Sequence, residues 1–385
     1  MITKVTLEGF KCFGERTSIP MSRYTIMYGK NGRGKSSVIQ SLLLLSQSIR
    51  SNGGNLDCLR IGGDLISLGT FIDIRNRYYR KRNSVVIEIE SDIEPILKLE
   101  YSGVDSQPTI GRLENLYVGD VSYMISKEAE SSQSSSNGDD LGANQGVISS
   151  MPQSDIKIYN ILNQIRYVSA DRRGPVNYEE RRDSLPPIDV DPKGERLINH
   201  LAQRSKEFQQ RFEQELSLIL SGASVRVYAN KDTPDRIDLY LDSATGNTQG
   251  FKPTNVGYGY SYVLPIVYKT LDAPVGGVVV VENPEAHLYP GAQSRLVDFL
   301  VKYAVRNQLQ IILETHSDHI VNGLRLAVKE EIIKPEESTI LFFDRDEDET
   351  GTPEIIQIRV DKEGSLDSQP QDFMDEWTRQ MLELL

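Results

Sequence analysis

Apolar and polar positions alternate along "KVTLEGFKCFG" and "YTIMYG" near the N-terminus, which predicts two strands, and the second runs into the Gly-rich stretch 29–37. The following "SSVIQSLLLLSQSIR" has helical length and a continuous apolar face, so the order here is strand, loop, helix. Over residues 62–123, short alternating stretches such as "SVVIEIE" and "ILKLEY" are punctuated by Gly, Asp and Pro, the pattern of an antiparallel lobe. Residues 128–155 are Ser, Asn, Gly and Gln with almost nothing to bury, and are expected to be a disordered insertion. The strongest helical periodicity lies over 193–222, which ends at a Gly stop. As one helix this segment would be about 40 Å long, and it has no run of heptads.

Beyond it come the strand-like "SVRVYAN" and "RIDLYLD", a helix from about Tyr260, and a run of four valines from Val278 ending in Glu282. A helix after Pro290, a strand "LQIILE", a helix after Ser317, paired strands near Thr339 and Glu354, and a terminal helix "DFMDEWTRQMLELL" complete the chain, with no internal repeat. The expected fold is therefore α/β, with a mixed or parallel central sheet, an antiparallel β lobe, a helical insertion and no long coiled coil. Four regions follow in order: an N-terminal lobe 1–192, the insertion 193–222, a C-terminal lobe 223–335 and a small C-terminal domain 336–385.

Composition narrows the class without changing this picture. The chain has 385 residues, 38% hydrophobic and 25% charged, ordinary for a globular protein that buries a sizeable core. Cys12 and Cys58 are far apart and lack metal-ligand spacing, which argues against a disulfide framework or zinc site and for a reducing compartment. The opening "MITKVTLEGF" lacks the pattern of a signal peptide, and the longest apolar runs, 42–45 and 278–281, fall far short of the ~18 residues of a membrane helix. A cytoplasmic protein with no membrane partner is expected. A net charge of -12 disfavours a protein that coats nucleic acid, so any such contact has to be a local basic patch.

The chemistry concentrates at three strand ends. "GKNGRGKS", from Gly29 to Ser36, fits the P-loop pattern, in which glycines turn backbone N–H groups toward phosphate oxygens, Lys35 neutralises the β- and γ-phosphates and Ser36 ligates Mg²⁺. Asn31, Gly32, Arg33, Gly34, Lys35, Ser36 and Ser37 are thus the candidate nucleotide-binding set. Such a loop needs a second carboxylate on a neighbouring strand for the metal's water shell, and Glu282 is the candidate; the bland alternative is a buried strand ending in a solvated acid. "IILETHSD" ends a third apolar strand at Thr315 and His316, where a histidine can bond a γ-phosphate or orient water. A lone histidine at a strand end is more often structural.

Two further stretches carry charge. "RNRYYRKRN", from Arg75 to Asn83, interleaves five cations with two tyrosines and reads either as a nucleic-acid contact or as a solvated hairpin tip, the latter favoured. Asp344 and Asp346 in "FFDRDEDET" resemble paired nuclease acids, but too little chain follows for such a domain, and a solvated acidic loop is expected.

The order of motifs resembles the ABC-class ATPases of the RecF, SMC and overcoming-lysogenization-defect type, and within them compact prokaryotic AAA-family members that end in a small domain of unknown function. The residues that carry it are "GKNGRGKSS", "SLGTFID", "YVSADRRGP", "NVGYGYSYVLPIV", "ENPEAHLYP", "ETHSD" and "FMDEW", spread over nearly the whole chain. The resemblance implies two heads dimerising around two ATP molecules, with Mg²⁺ as cofactor. Asn255, Gly257, Gly259 and Ser261 would form the signature loop that meets the other subunit's γ-phosphate. Related heads usually follow the acid at the Glu282 position with a second Glu that activates water; Asn283 stands there in this chain. An amide orients water without taking its proton, so either Glu285 serves as base or turnover is slow. Tyr289 replaces the second histidine of the family's "HLHP".

The function implied is a slow ATPase, a homodimeric switch that controls a separately encoded effector, a nuclease or toxin, as in stand-alone ATPases of anti-phage systems of Septu or PARIS type. The alternatives are a RecF-like DNA repair ATPase and a non-hydrolysing ATP-sensing scaffold.

Overall fold

The computed structural model describes residues 1–79, 83–93, 95–124, 157–182, 191–229, 233–243, 250–345, 352–374 and 376–384. The insertion expected over 128–155 and Asp346 lie outside the described residues, as do three cations of the Arg75 to Asn83 stretch. The chain divides into two compact units, each discontinuous in sequence.

The first unit comprises Met1–Met21, Gly32–Gln164 and Arg345–Glu354. Its seven-stranded sheet runs in the order Thr17–Pro20, Ile2–Glu8, Ser84–Ser91, Leu97–Gly103, Ile110–Val118, Cys58–Arg60, with Val121–Met124 paired to Ile110–Val118, and all these pairings are antiparallel. The lobe expected over 62–123 thus recruits the N-terminal strands as well. Leu97, Leu99 and Tyr101 are buried while Lys98, Glu100 and Ser102 between them are less so, the alternation of a sheet with one face inward. In helix Lys35–Ser51 the unbroken run from Leu42 to Ile49 is buried, so this helix is covered on nearly every side.

The second unit comprises Ser22–Asn31, Ile165–Asp344 and Ile355–Leu385. Its main sheet has the order Pro353–Ile358, Ser338–Arg345, Tyr24–Gly29, Gln310–Thr315, Val278–Glu282, Arg166–Val168. The last five are joined by parallel pairings. Every residue of Val278–Glu282 and Gln310–Thr315 is buried, as the unbroken apolar runs require of parallel strands covered on both faces. Helices Tyr258–Asp272, Pro290–Arg306 and Asp318–Lys329 supply Val267, Tyr268, Leu300, Tyr303 and Leu324 to the core of this unit. A three-stranded antiparallel sheet, Tyr178–Glu180, Arg236–Ser243 and Ala223–Ala229, adds Leu239 and Leu241 to the same core.

The segment 193–222 is not one helix. It forms Leu197–Gln203 and Lys206–Ile219, broken where Arg204 adopts extended backbone (φ -73°, ψ 156°). Ser205 then caps the second helix, its side chain accepting from the Phe208 amide at 3.2 Å. The break frees Arg204 to donate from Nε to the Tyr268 hydroxyl at 2.8 Å and to pair with Asp272, contacts that a continuous helix would forgo. Among the described residues the longest helices have 17 residues, there is no long coiled-coil arm, and no helix is long and apolar enough to cross a membrane.

Candidate nucleotide-binding site

The P-loop follows strand Tyr24–Gly29 and opens helix Lys35–Ser51, the strand, loop, helix order read from sequence. Gly29 has φ 134°, and a Cβ there would lie 2.4 Å from the Phe343 carbonyl oxygen, so the neighbouring strand excludes any side chain. Gly34 caps the helix in left-handed geometry (φ 98°), where a Cβ would sit 2.9 Å from Cys12 Sγ. The space around Gly32 is open, and Asn31 beside it is exposed. Arg33 is half-buried with an unpartnered Nε, Lys35 is only 3% exposed, and Ser36 and Ser37 are half-buried; Cys12 Sγ lies 3.8 Å from Ser37 Oγ. Gly29 to Asn31 belong to the second unit and Gly32 onward to the first.

All other candidate residues lie within the second unit, and its sheet brings several of them together. Strands Tyr24–Gly29, Gln310–Thr315 and Val278–Glu282 are adjacent and parallel, with Tyr28 opposite Thr315 and Glu314 opposite Glu282. Three candidate motifs therefore end at the same edge of one sheet, the carboxyl edge where ligands of α/β folds bind.

Glu282 is 9% exposed, and its Oε2 accepts from the Tyr167 hydroxyl at 2.8 Å and from the Ala170 amide at 3.2 Å. Its Oε1 takes part in no described hydrogen bond. Burial, then the neighbouring Glu282 charge, pushes the Tyr167 hydroxyl far above the usual phenol range, so it stays a donor. Arg172 Nη2 donates to the carbonyl of Glu282 at 3.1 Å and to that of Asn283. Asn283 has φ 45°, a left-handed conformation in which Asn is among the best-tolerated side chains, and its N–H donates to the Glu314 carbonyl at 2.8 Å.

Glu285 closes the turn against the next strand. Its Oε2 accepts from Thr315 Oγ1 at 2.8 Å and its Oε1 from the His316 amide at 3.0 Å. His316 is exposed at the strand end, and the Ser317 hydroxyl after it donates to Gln293 at 2.5 Å.

The candidate signature loop lies on the turn Pro253–Asn255 and the start of helix Tyr258–Asp272, capped by Gly257. Asn255 and Gly257 are exposed, and a Cβ on Gly257 would meet nothing within 4 Å. Gly259 differs: its Cβ would lie 2.6 Å from the His287 carbonyl oxygen. Ser261 is 8% exposed, and its buried hydroxyl has no hydrogen-bond partner. Tyr289 packs its ring on the Arg295 guanidinium (5.4 Å), and its hydroxyl pKa is lowered by its contact with Ser221, then by Arg295.

Sequence reasoning missed Tyr167, Arg172 and Lys269. The motif "YVSADRRGP" was the available signal, but its contacts to Glu282 span more than 100 residues and leave no local pattern. Of the basic stretch, Arg75 bonds Asn83 at 3.0 Å and Arg77 lies 3.9 Å from Asp73, the local pairing of a surface turn. Neither Cys12 nor Cys58 forms a disulfide, and no cluster of potential metal-ligating side chains is found among the described residues.

A family model described as "AAA domain, putative AbiEii toxin, Type IV TA system" matches residues 24–322, and one described as "Protein of unknown function (DUF3696)" matches residues 333–384. Among solved structures, an SMC head bound to the C-terminal winged-helix domain of ScpA is similar, with 16% identity, TM-score 0.53, and 94% of this chain and 98% of that chain covered. An SMC head domain from Thermotoga maritima has 13% identity and TM-score 0.47, with 92% and 98% covered. The search of curated proteins found no match.

Proposed function

The chain belongs to the AbiEii-type AAA-domain family and has the fold of an ABC-class P-loop ATPase head, and from that premise we propose that it is an ATP-driven switch. Two copies close around ATP, hydrolyse it slowly, and by opening and closing control a separately encoded effector, a nuclease or toxin, in prokaryotic anti-phage defence. The observation that carries the ATPase part is the adjacency of three strand ends, Gly29, Thr315 and Glu282, on one parallel sheet. The family description, which names a toxin–antitoxin system, supports the defence part.

The donor set fits ATP and Mg²⁺. Lys35 and the glycine-turned N–H groups of the loop would hold the β- and γ-phosphates, with Asn31, Arg33 and Ser37 lining it. Ser36 and Glu282 would hold the metal: Glu282 is fixed through Oε2 by two donors, which leaves Oε1 available to a metal-bound water. Bound Mg²⁺ supplies charge neutralisation at the phosphates. His316, exposed beyond Thr315, would meet the terminal phosphate, and Asn283 would orient the attacking water without accepting its proton. The signature contacts to a second copy's nucleotide would come from Asn255, Gly257, Gly259 and Ser261, of which Asn255 and Gly257 are exposed.

The amide at position 283 also favours a second reading, a scaffold that binds ATP and assembles without hydrolysing it. Titration with ATP, phosphate release, and mass in solution with and without ATP separate the two. Wild-type protein is expected to bind ATP, associate and release phosphate slowly, and Lys35→Ala to do none of these. Unchanged affinity in Lys35→Ala removes the P-loop assignment, and ATP-stabilised assembly without phosphate release selects the scaffold. Purification with the product of the neighbouring gene tests the effector.

A further inference from the structure

The strand end that carries Glu282 is held by one short segment, and that segment is held in turn by the helix that starts at the signature loop. Tyr167 and Ala170 bind the Glu282 carboxylate, and Arg172 binds the carbonyls of Glu282 and Asn283. From the other side, the fully buried Lys269 of helix Tyr258–Asp272 donates to the Tyr167 carbonyl at 2.6 Å. Tyr262 of the same helix lies with its ring 5.4 Å from the Arg172 guanidinium carbon. The rings continue outward: Tyr262 meets His287 edge-on at 4.5 Å, and His287 lies 5.5 Å from Tyr258, the first helical residue, which is exposed beside Gly257.

Arg172 is the costly member of this chain of contacts. It is 3% exposed, yet of its three nitrogens only Nη2 donates, while Nε and Nη1 are buried without partners. A buried guanidinium is ordinarily compensated by a carboxylate or by filling all of its donors. Arg172 makes no described ion pair, and burial lowers its pKa to about 10, with the charge of Glu285 the largest opposing influence. An apolar side chain of similar length would fill the space at less cost. What it could not do is grip two successive carbonyls with one end and offer a flat cation to a tyrosine ring with its face.

We propose that Arg172 is a positioning residue that carries engagement of the signature loop to the turn of Asn283 to Glu285. When a second copy's nucleotide meets the open face at Gly257, the Tyr258–His287–Tyr262 rings shift against Arg172. The Asn283 peptide, and with it the aim of the Asn283 amide, follows. Hydrolysis then waits on closure of two heads. This inference rests on the roles given above to Asn283 and the signature loop.

The test uses the full chain and compares wild type with Arg172→Met, Arg172→Lys, Tyr262→Phe, Tyr262→Leu and the pair Arg172→Met with Tyr262→Leu. Affinity for a fluorescent ATP analogue, single-turnover phosphate release and Tm are measured for each. Affinity should stay within about 3-fold of wild type throughout, while phosphate release falls about 10-fold or more in Arg172→Met and in Tyr262→Leu. Tyr262→Phe keeps the ring and should release phosphate like wild type. The pair should be no slower than Arg172→Met alone, because one path is cut twice. Wild-type release in Arg172→Met, or losses that multiply in the pair, overturns the inference. If Arg172→Met does not fold, Arg172→Lys decides in its place, since an ammonium keeps the charge but loses the planar fork. Wild-type protein that binds ATP and releases no phosphate removes the hydrolytic reading itself, and the wild-type control tells that outcome from a failure of Arg172 alone.

Discussion

Thr315 and Glu285 are joined across adjacent strand ends, the Thr315 hydroxyl donating to Glu285 Oε2 at 2.8 Å while the His316 amide donates to Oε1 at 3.0 Å. Both carboxylate oxygens of the second acid in "ENPE" are therefore engaged in holding the turn against the neighbouring strand. A carboxylate so committed is a tether before it is a base. Glu285→Gln keeps the shape, with the amide oxygen able to take the His316 N–H and the amide nitrogen the Thr315 oxygen. Phosphate release is expected to fall by less than about 10-fold, against the 10²- to 10⁴-fold that removal of a general base typically costs. A loss in that larger range, with Tm unchanged, would make Glu285 the proton acceptor.

The two glycines of the signature loop should behave in opposite ways. Gly257 has ordinary extended backbone (φ -60°, ψ 144°) and open space where a side chain would go, so the fold itself does not require glycine there. Gly257→Arg is expected to keep wild-type Tm and ATP affinity and to lose ATP-dependent association. At Gly259 a methyl would sit 2.6 Å from the His287 carbonyl oxygen, an atom of backbone that cannot swing aside. Gly259→Ala should lose roughly 1–3 kcal/mol of stability, read by denaturant titration. Normal association of Gly257→Arg in the presence of ATP would move the signature loop elsewhere.

Much of the site was legible because its chemistry sits in contiguous strings at the ends of strongly apolar strands. The four valines before Glu282 announce a buried parallel strand, and the glycines from Gly29 to Gly34 announce a turn, whatever lies far away in sequence. The break between Gln203 and Lys206 was harder: apolar periodicity continues across it, and only Ser205 marks the new cap. Arg204 wins there by tertiary contacts to Tyr268 and Asp272 that local pattern does not encode. Arg172 and Tyr167 were illegible for the same reason, as buried polar groups whose partners lie more than 100 residues away. Ser261, which the motif reading places among the ligand contacts, is a buried residue of helix Tyr258–Asp272 whose hydroxyl has no hydrogen-bond partner.

Asn283 admits an explanation that the sequence alone did not offer. Its φ of 45° lies in the left-handed region, where a side chain with a Cβ costs roughly 1–2 kcal/mol and Asn is among the few residues that visit it routinely. Its backbone is fixed there from both sides, the N–H by the Glu314 carbonyl at 2.8 Å and the carbonyl by Arg172. Asn283→Glu therefore places a longer, charged side chain on a backbone that disfavours it, and stability should fall by about 1 kcal/mol. Against that loss, the new carboxylate stands where an amide had only oriented water. If the added methylene leaves it in line with the water, single-turnover phosphate release should rise, by as much as about 10²-fold. Asn283→Gly is the control, since it relieves the backbone and removes the amide together, and it should be no less stable than wild type and slower in release. A faster Asn283→Glu beside a slower Asn283→Gly assigns the water to position 283. Equal rates in all three proteins would separate the left-handed asparagine from the chemistry and leave it a residue chosen by the turn alone.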